Sequence, residues 1–340
     1  MRWPPRYSWQ TTSGGALLRR SILAAAFIAL LVVPVCKKKE PGTAVQEVIF
    51  EVHAGETTVR IAERLDSLNV IRNPRRFVMK AKLKKLDRRL QQGVYRLHAY
   101  MSEDSVLIIL SRGVVATVTV TIPEGLKLRG IAGRLAGAGV VNQDTFLALC
   151  RDKRLLTEFN IPFGSFEGLL FPDTYSFPLD ILPEDVLRVM AGRFFEVAEP
   201  MLREVSLDTL VILASIVERE AYLDEERPII ASIFWNRLRK GMPLESCATI
   251  EYALPEHKER LTYADLGVDS PYNTYLHRGL PPGPICSPGK ASLEAVARPK
   301  RTQYLYFVSK GDGSHYFSET ASEHERMKRK LSKERSRNGA

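Results

Sequence analysis

The apolar residues of this 340-residue chain change their spacing along its length, and the first spacing is an unbroken run. Residues 21–35 carry no charge and lie between two arginines and three lysines. A membrane-spanning helix usually needs about 20 apolar residues, but flanking cationic stems extend a shorter run by snorkelling. We therefore predict a cytoplasmic tail at residues 1–20 and a transmembrane anchor at residues 21–36, with the remaining chain outside the cytoplasm.

Two other readings of this run stay open. A cleaved signal peptide has the same polarity, although no small-x-small cleavage site closes the run. A lipoprotein site at Cys36 would want small residues before the cysteine, where the chain has Val33, Pro34 and Val35.

The second spacing occurs twice, about 70 residues apart. Val52-His-Ala-Gly55 and Ile122-Pro-Glu-Gly125 each precede apolar residues at helical intervals, which predicts a strand, a glycine turn and two helices in each copy. The first copy, residues 45–117, adds a period-2 strand at residues 93–97 and resembles the glycan-binding LysM module at the level of pattern. A spacer without a ligand explains this unit equally well.

A basic cluster lies in the first copy and would face a membrane or an acidic polymer, although such runs are usually a solvated face. Its members are Arg72, Arg75, Arg76, Lys80, Lys82, Lys84, Lys85, Arg88 and Arg89.

The third spacing predicts a buried helix that starts at Leu207 after the candidate cap Ser206. Residues 210–217 are almost wholly apolar, and Glu218 falls on a stripe that faces the core. A carboxyl group buried without a partner tends to keep its proton, and a protonated carboxyl can cleave a glycosidic bond as a general acid. Glu218 is therefore the leading catalytic candidate.

The structural alternative for this glutamate is an ion pair with Arg219, Arg227 or Arg237. Glu220 is the competing acid, and it lies about 200° around the helix from Glu218, so the two cannot share one site.

Further helices are predicted at residues 183–197, 229–240 and 291–297, the second ended by Gly241. The loops between residues 242 and 289 are rich in tyrosine, asparagine, threonine and Pro-Gly pairs, which suit sugar rings and hydroxyls. A structural hairpin region shares this composition. Residues 331–340 are predicted to be a basic disordered tail.

Composition narrows the functional class. The net charge of +10 favours an acidic partner. Nucleic acid is disfavoured as that partner, because the chain carries a predicted membrane segment and no nucleic-acid recognition motif. Four scattered cysteines without a CxxC pair and six histidines without HExxH predict no metal site, and no cofactor is needed.

Seven stretches in a consistent order resemble the endolytic murein transglycosylases, the MltG/YceG-like family. They are residues 167–175 (EGLLFPDTY), 213–220 (LASIVERE), 231–238 (ASIFWNRL), 241–244 (GMPL), 272–275 (YNTY), 279–285 (GLPPGPI) and 304–308 (YLYFV). The resemblance covers residues 48–330 and implies an α+β fold: an N-terminal transmembrane helix, a small LysM-like α+β unit, and a larger α+β catalytic domain at residues 118–330.

The resemblance aligns the catalytic glutamate of the family with Glu218 and implies a set of substrate-binding residues. These are Asn236, Arg237, Glu245, Thr249, Tyr252, Tyr272, Asn273 and Thr274. Many relatives read Gln-Thr-Asp-Pro-Thr where this chain has Glu245-Ser-Cys-Ala-Thr249, so any work of that aspartate is absent here or falls to Glu245 or Glu251. Cys247 and Cys286 would line the groove either as a disulfide or as two free buried thiols.

The implied reaction is non-hydrolytic cleavage of the β-1,4 bond between MurNAc and GlcNAc, which leaves a 1,6-anhydroMurNAc end and terminates or trims nascent strands. The implied partners are peptidoglycan glycan strands, the cytoplasmic membrane and cell-wall synthases (penicillin-binding proteins), at the inner membrane. The alternative is a non-catalytic glycan-binding scaffold for those synthases.

Overall fold

The computed structural model describes residues 46–256, 258 and 261–337, so the predicted tail (1–20) and anchor (21–36) lie outside the described residues. Within the described part, no helix combines the length and the apolar character needed to cross a bilayer. The fold is of the mixed α+β kind, with small sheets and a majority of helices.

The helices and strands follow the chain in a simple order. The helices are α1 (Thr58–Ser67), α2 (Pro74–Leu83), α3 (Glu103–Arg112), α4 (Leu128–Gly137), α5 (Gln143–Leu149), α6 (Lys153–Glu158), α7 (Pro183–Ala198), α8 (Leu207–Glu220), α9 (Arg227–Arg239), α10 (Cys247–Ala253), α11 (Lys290–Ala297) and α12 (Ala321–Arg337). Three antiparallel pairs form the sheets: β1 (Glu47–Val52) with β2 (Gly93–His98), β3 (Thr117–Thr121) with β4 (Thr174–Pro178), and β5 (Tyr306–Ser309) with β6 (His315–Ser318).

The predicted repeat is present in the structure. β1 and β3 each lead through a glycine in the left-handed region, Gly55 at φ +74° and Gly125 at φ +75°, into a helix pair. A residue with a Cβ is strained at such a φ, which explains why both copies carry glycine there. Each copy closes when its first strand pairs with a later one, β1 with β2 and β3 with β4.

Two hydrophobic cores underlie the two copies. The first contains Phe50, Phe77 and Tyr95, all at most 1% exposed, between the β1–β2 pair and its helices. The second and larger core surrounds α8, in which every residue from Leu210 to Val217 is buried. The C-terminal end of α8 therefore emerges from the centre of the larger core.

Two helix ends differ from the prediction. Ser206 precedes α8 as expected, but its side chain caps no backbone N–H and instead donates to Thr209 Oγ1 at 3.1 Å. Residues 331–337 of the predicted tail continue α12, and Leu331 is buried, whereas residues 338–340 lie outside the described residues. Burial of the apolar Leu331 stabilises this end of the helix, which the mostly basic composition of the segment did not indicate.

The start of α4 is capped from a distant part of the chain. Lys127, at the cap position, makes no side-chain cap bond, and the Leu128 N–H donates to Glu167 Oε1 at 2.8 Å. Glu167 is 9% exposed, and its burial raises the pKa of the carboxyl to about 7, although the N–H groups of Leu128 and Gly168 oppose the shift. Glu167 thus ties the segment before β4 to the second repeat.

Replacing Glu167 with glutamine should change how stability depends on pH. Because the folded pKa of about 7 exceeds the ordinary value of 4.5, the unfolded chain loses its proton first as pH rises. The Glu167 carboxyl therefore lowers the free energy of unfolding by about 3 kcal/mol as pH rises through that window. Glu167→Gln cannot ionise and should abolish this loss, as measured by urea unfolding at a series of pH values.

Glu196→Gln is the matched control, because Glu196 is an exposed glutamate paired with Arg193. Its unfolding free energy should follow that of the unmodified protein across the same pH range. Parallel pH curves for Glu167→Gln and the unmodified protein would contradict a protonated buried Glu167.

Candidate functional site

The last turn of α8 carries two carboxylates into two different surroundings. Glu218 and Glu220 lie about 200° apart around the helix axis, and Arg219 between them is exposed. The core that buries Leu210 to Val217 ends here, so both side chains leave the apolar interior at the same level.

Glu218 is held by three donors. Its Oε2 accepts from the N–H of Gly289, the cap residue of α11, at 3.0 Å and from the hydroxyl of Ser292, in the first turn of that helix, at 2.7 Å. Arg227 Nη1 lies 3.4 Å from the same oxygen, and the two side chains are only 10% and 6% exposed. A carboxylate is favoured at a helix N-terminus and beside a guanidinium.

The expectation that Glu218 is an unpaired buried acid is therefore wrong. The structural alternative, an ion pair with an arginine, describes its surroundings, and Arg227 is the arginine. Arg227 also bonds Asp224 at 2.8 Å and Ser292 at 2.7 Å, so Glu218 belongs to a buried polar network that joins α8, α9 and α11.

Glu124 approaches the same helix end from the second repeat. A Cβ on Gly289 would lie 1.8 Å from Glu124 Oε1, so only glycine fits at position 289 with this carboxylate in place. Burial raises the pKa of Glu124, and the negative charge of Glu218 raises it further. Glu124 was absent from the sequence-based candidates.

Glu220 has surroundings of the opposite kind. Its Oε1 accepts from the Ser246 hydroxyl at 2.5 Å and faces the Ala248 N–H at 3.4 Å. Burial raises the pKa of Glu220, and the charge of Glu251 raises it further, whereas the bonds from Ser246 and Ala248 and the nearby His315 oppose the rise. Among the described residues, no lysine or arginine forms an ion pair with Glu220.

The loop in front of Glu220 is braced by buried hydroxyls. The Ser246 N–H donates to Thr274 Oγ1 at 3.0 Å, and the hydroxyls of Thr249 and Thr274 lie 2.8 Å apart. Asn273, which is fully buried, donates to the carbonyls of Leu266 and Val268 at 3.0 and 2.8 Å. These three predicted substrate-binding residues, Thr249, Asn273 and Thr274, point into the protein and fix the loop.

Asn236 and Arg237 also bond to the backbone. The Asn236 amide donates to the carbonyls of Thr302 and Tyr304 at 3.0 and 2.9 Å. Arg237 donates to the carbonyls of Leu305, Pro243 and Leu244 and to the Glu245 carboxylate at 2.8 Å. Both side chains are less than 8% exposed, so they are poorly accessible to a polymer. Their bonds instead hold two loops together.

Tyr252 and Tyr272 offer an aromatic surface. Their ring centroids lie 4.8 Å apart, both side chains are half-buried, and Lys127 Nζ lies 5.1 Å from the Tyr252 ring. They keep the exposed ring area that a sugar face needs, in contrast to the buried asparagines and threonines.

The three cysteines of the described residues, Cys150, Cys247 and Cys286, are free thiols. Cys247 is exposed, with its Sγ 3.2 Å from the Tyr275 hydroxyl, and the buried Cys286 donates to the Ser215 carbonyl at 3.3 Å. The disulfide alternative is thus absent. Cys247 places a thiol near Glu220.

Sequence similarity identifies the family. The YceG-like family model matches residues 50–330, and the chain belongs to this family. It is 33% identical over 302 residues to an endolytic murein transglycosylase of Bacillus subtilis, covering 83% of this chain and 84% of the relative. It is 28% identical over 309 residues to one of Streptococcus pneumoniae D39, covering 80% of this chain but only 56% of the relative.

A solved structure agrees with this assignment. The fold is similar to the 2.6 Å crystal structure of a YceG-like protein from Listeria monocytogenes, with a TM-score of 0.57 and 32% identity. The alignment covers 84% of this chain and 100% of the Listeria chain.

Removing the charge of Glu218 should destabilise the fold. Glu218→Gln keeps an acceptor for Gly289 but leaves the buried Arg227 with only the exposed Asp224 as an acidic ion-pair partner among the described residues. We expect the free energy of unfolding to fall by about 1–3 kcal/mol, the cost of an unsatisfied buried group, as measured by chemical denaturation.

Glu251→Gln is the matched control, because Glu251 forms a similar pair with Arg219 at 3.2 Å that is 42% and 28% exposed. Its loss should cost about 0–1 kcal/mol. Equal effects of the two substitutions would show that the Glu218 network contributes nothing beyond a surface pair.

Proposed function

We propose that this chain is a membrane-anchored endolytic transglycosylase that cuts peptidoglycan strands, and that Glu220 supplies the proton. Family membership and the names of the relatives support the substrate and the reaction. The observation that carries the assignment of the acid is the contrast at the end of α8. Glu218 is paired with the buried Arg227, whereas Glu220 is partly buried beside uncharged donors that leave its pKa raised.

A general acid must be protonated before the reaction and must release its proton in the transition state. The Glu218 carboxyl group is already engaged by Arg227, Gly289 and Ser292, so its approach to a sugar would require breaking this network. Glu220 meets the requirement better, because burial favours its protonated form. That Glu218 is the acid stays a prediction, and variants of the two glutamates distinguish between them.

The proposed reaction needs one carboxyl group. Glu220 donates its proton to the oxygen that bridges MurNAc and GlcNAc while the bond from that oxygen to the MurNAc anomeric carbon breaks. The MurNAc 6-hydroxyl then bonds to that carbon, and its proton passes to the Glu220 carboxylate. No water is consumed, the acid is regenerated, and the product carries a 1,6-anhydro ring, so the second carboxylate of ordinary glycosidases is unnecessary.

Substrate contacts fall in this proposal on two half-buried tyrosines and on Glu245. Tyr252 and Tyr272 would stack on sugar rings, and Glu245, 42% exposed in its side chain, would bond hydroxyl groups. Asn236, Arg237, Thr249, Asn273 and Thr274 act in this proposal as positioning residues for the loops.

The proposed architecture places the enzyme at the inner membrane. Residues 21–36 would form the anchor, residues 45–117 a LysM-like unit, and residues 118–330 the catalytic domain outside the cytoplasm. The order β1-α1-α2-β2 supports the LysM-like assignment. Nascent glycan strands and the synthases that extend them are the proposed partners, and the anchor would keep the enzyme near both.

Glu220→Gln should abolish strand cleavage while the protein stays folded. Glutamine retains an acceptor for Ser246 but cannot donate a carboxyl proton, so the rate should fall by about 10²–10⁴-fold. Mass spectrometry of glycan strands after incubation measures the cut ends, and the unmodified protein should leave 1,6-anhydroMurNAc.

Glu218→Gln is the decisive comparison, measured at a temperature where both variants are folded. It should retain cleavage at a reduced stability. Lost cleavage in Glu218→Gln together with retained cleavage in Glu220→Gln would assign the acid to Glu218. Reducing ends from the unmodified protein would instead identify a hydrolase.

The pH profile should follow the surroundings of Glu220. Because its pKa is raised above 4.5, the reactive acid form persists to higher pH, and kcat/KM should fall only as pH rises through the shifted value. Glu251→Gln removes a charge that raises this pKa and should move the falling limb to lower pH. Ser246→Ala removes a bond that lowers the pKa and should move the limb to higher pH. Unmoved limbs in both variants would exclude Glu220 as the titrating acid.

A further inference from the structure

Helix α2 presents an exposed face with an apolar centre. It buries Phe77 and Ala81 against the first core and leaves the opposite face in solvent. At 100° per residue, five residues occupy an arc of about 120° centred on Met79. In order around that arc they are Lys82, Arg75, Met79, Leu83 and Arg76.

The two apolar side chains at this centre are strongly exposed. Leu83 is 75% exposed and Met79 is 54% exposed, and as residues i and i+4 they lie one above the other on the helix. Single exposed apolar residues are ordinary on protein surfaces. An adjacent pair at the centre of a cationic face is the pattern of helices that lie in a membrane interface.

The charge around this pair is largely uncompensated. Residues 72–89 contain nine basic residues and one acidic residue, Asp87. Lys80 and Lys84 pair with Glu103 and Asp104. Within the described part of the chain, the other seven form no ion pair with an acidic side chain. One of these seven, Arg72, stacks over the Tyr100 ring. We call the following set the α2 surface: Met79, Leu83, Arg75, Arg76, Lys82, Lys85, Arg88 and Arg89.

We propose that the α2 surface binds an anionic lipid bilayer, with Met79 and Leu83 at the boundary between headgroups and acyl chains and the basic side chains among the headgroups. Lysine and arginine near an anionic leaflet are attracted to its negative surface potential. A soluble acidic polymer would satisfy the charges but offers no apolar phase to Leu83, so the bilayer accounts for both features.

The chain length before β1 agrees with this orientation, a step that rests on the anchor proposed above. Ten residues, 37–46, separate the proposed anchor from Glu47. Fully extended, they span at most about 33–36 Å. An anchor at residues 21–36 would therefore tether the β1–β2 unit that carries α2 within that reach of the bilayer, where contact requires little further ordering of the chain.

Tryptophan quenching in the full-length protein tests the proposal. Leu83→Trp is placed in nanodiscs that contain brominated lipids, and the signal of the unmodified protein with its three tryptophans is subtracted. We expect loss of the added fluorescence in discs rich in phosphatidylglycerol and little loss in pure phosphatidylcholine. The loss should disappear at about 1 M salt, where the Debye length is about 3 Å.

Two variants serve as controls. Leu182→Trp labels an equally exposed leucine, 65% exposed, beside the acidic residues Glu184 and Asp185, and it should not be quenched. Adding Arg75→Glu and Lys82→Glu to Leu83→Trp should abolish the quenching. Hydrogen exchange of α2 in the unmodified protein, slower in anionic than in neutral discs, supplies a measurement free of substitutions.

Three results would overturn the proposal. The first is an unquenched Leu83→Trp in anionic discs with unchanged exchange in α2. The second is equal quenching in neutral discs, which would make charge irrelevant. The third is protection of α2 that arises only when a soluble acidic glycan polymer is added, which would assign the surface to that polymer.

Discussion

The rest of the site depends on how the buried helix α8 ends. Its apolar residues are enclosed by the larger core, so the last turn is the first place where polar side chains can emerge. At 100° per residue, two glutamates separated by one position must leave the helix on opposite sides. One side meets the N-terminus of α11 and a buried guanidinium, and the other meets hydroxyl and backbone donors. Identical side chains thus acquire different bonding partners from their positions on the helix alone.

The polar residues around this helix mainly bind the protein itself. Arg237 donates to three carbonyls and one carboxylate, and Asn236 donates to two carbonyls, so both loops that flank β5 and α10 are held by side chains of α9. The hydroxyl pair of Thr249 and Thr274 fixes the segment that carries Ser246. A general acid works only with its donors held in place, and the buried network supplies that rigidity.

Local sequence signals were enough for much of the fold. The repeat was predictable because each copy carries a glycine at its turn and apolar residues at helical spacing, and α7 was predicted at residues 183–197 and found at Pro183–Ala198. The α8 core was predictable from its unbroken apolar run. The free cysteines and the helical residues 331–337 depend on tertiary contacts, such as those of Cys286 with Ser215 and of the buried Leu331, which spacing does not encode.

The choice between the two glutamates shows where sequence reasoning stops. Helical periodicity places Glu218 on the core-facing stripe, which is correct, but a core-facing acid can be either reactive or neutralised. Deciding between them required the position of Arg227, nine residues after Glu218, which no sequence pattern distinguishes from Arg219 or Arg237. It also required the position of α11, more than 70 residues downstream. The periodicity argument treated burial as a sign of chemistry, whereas the partner of the buried group decides the matter.

The opposing effects on Glu220 suit a group that must both give and recover a proton. Burial alone would hold the proton so firmly that donation to a glycosidic oxygen would become unfavourable, and full ionisation would leave nothing to donate. In the proposed reaction, the Ser246 and Ala248 donors would stabilise the carboxylate that forms after the first transfer, and burial and Glu251 would favour the acid that starts the cycle. A single carboxyl between these influences can serve both steps, which is what a reaction with an internal nucleophile requires.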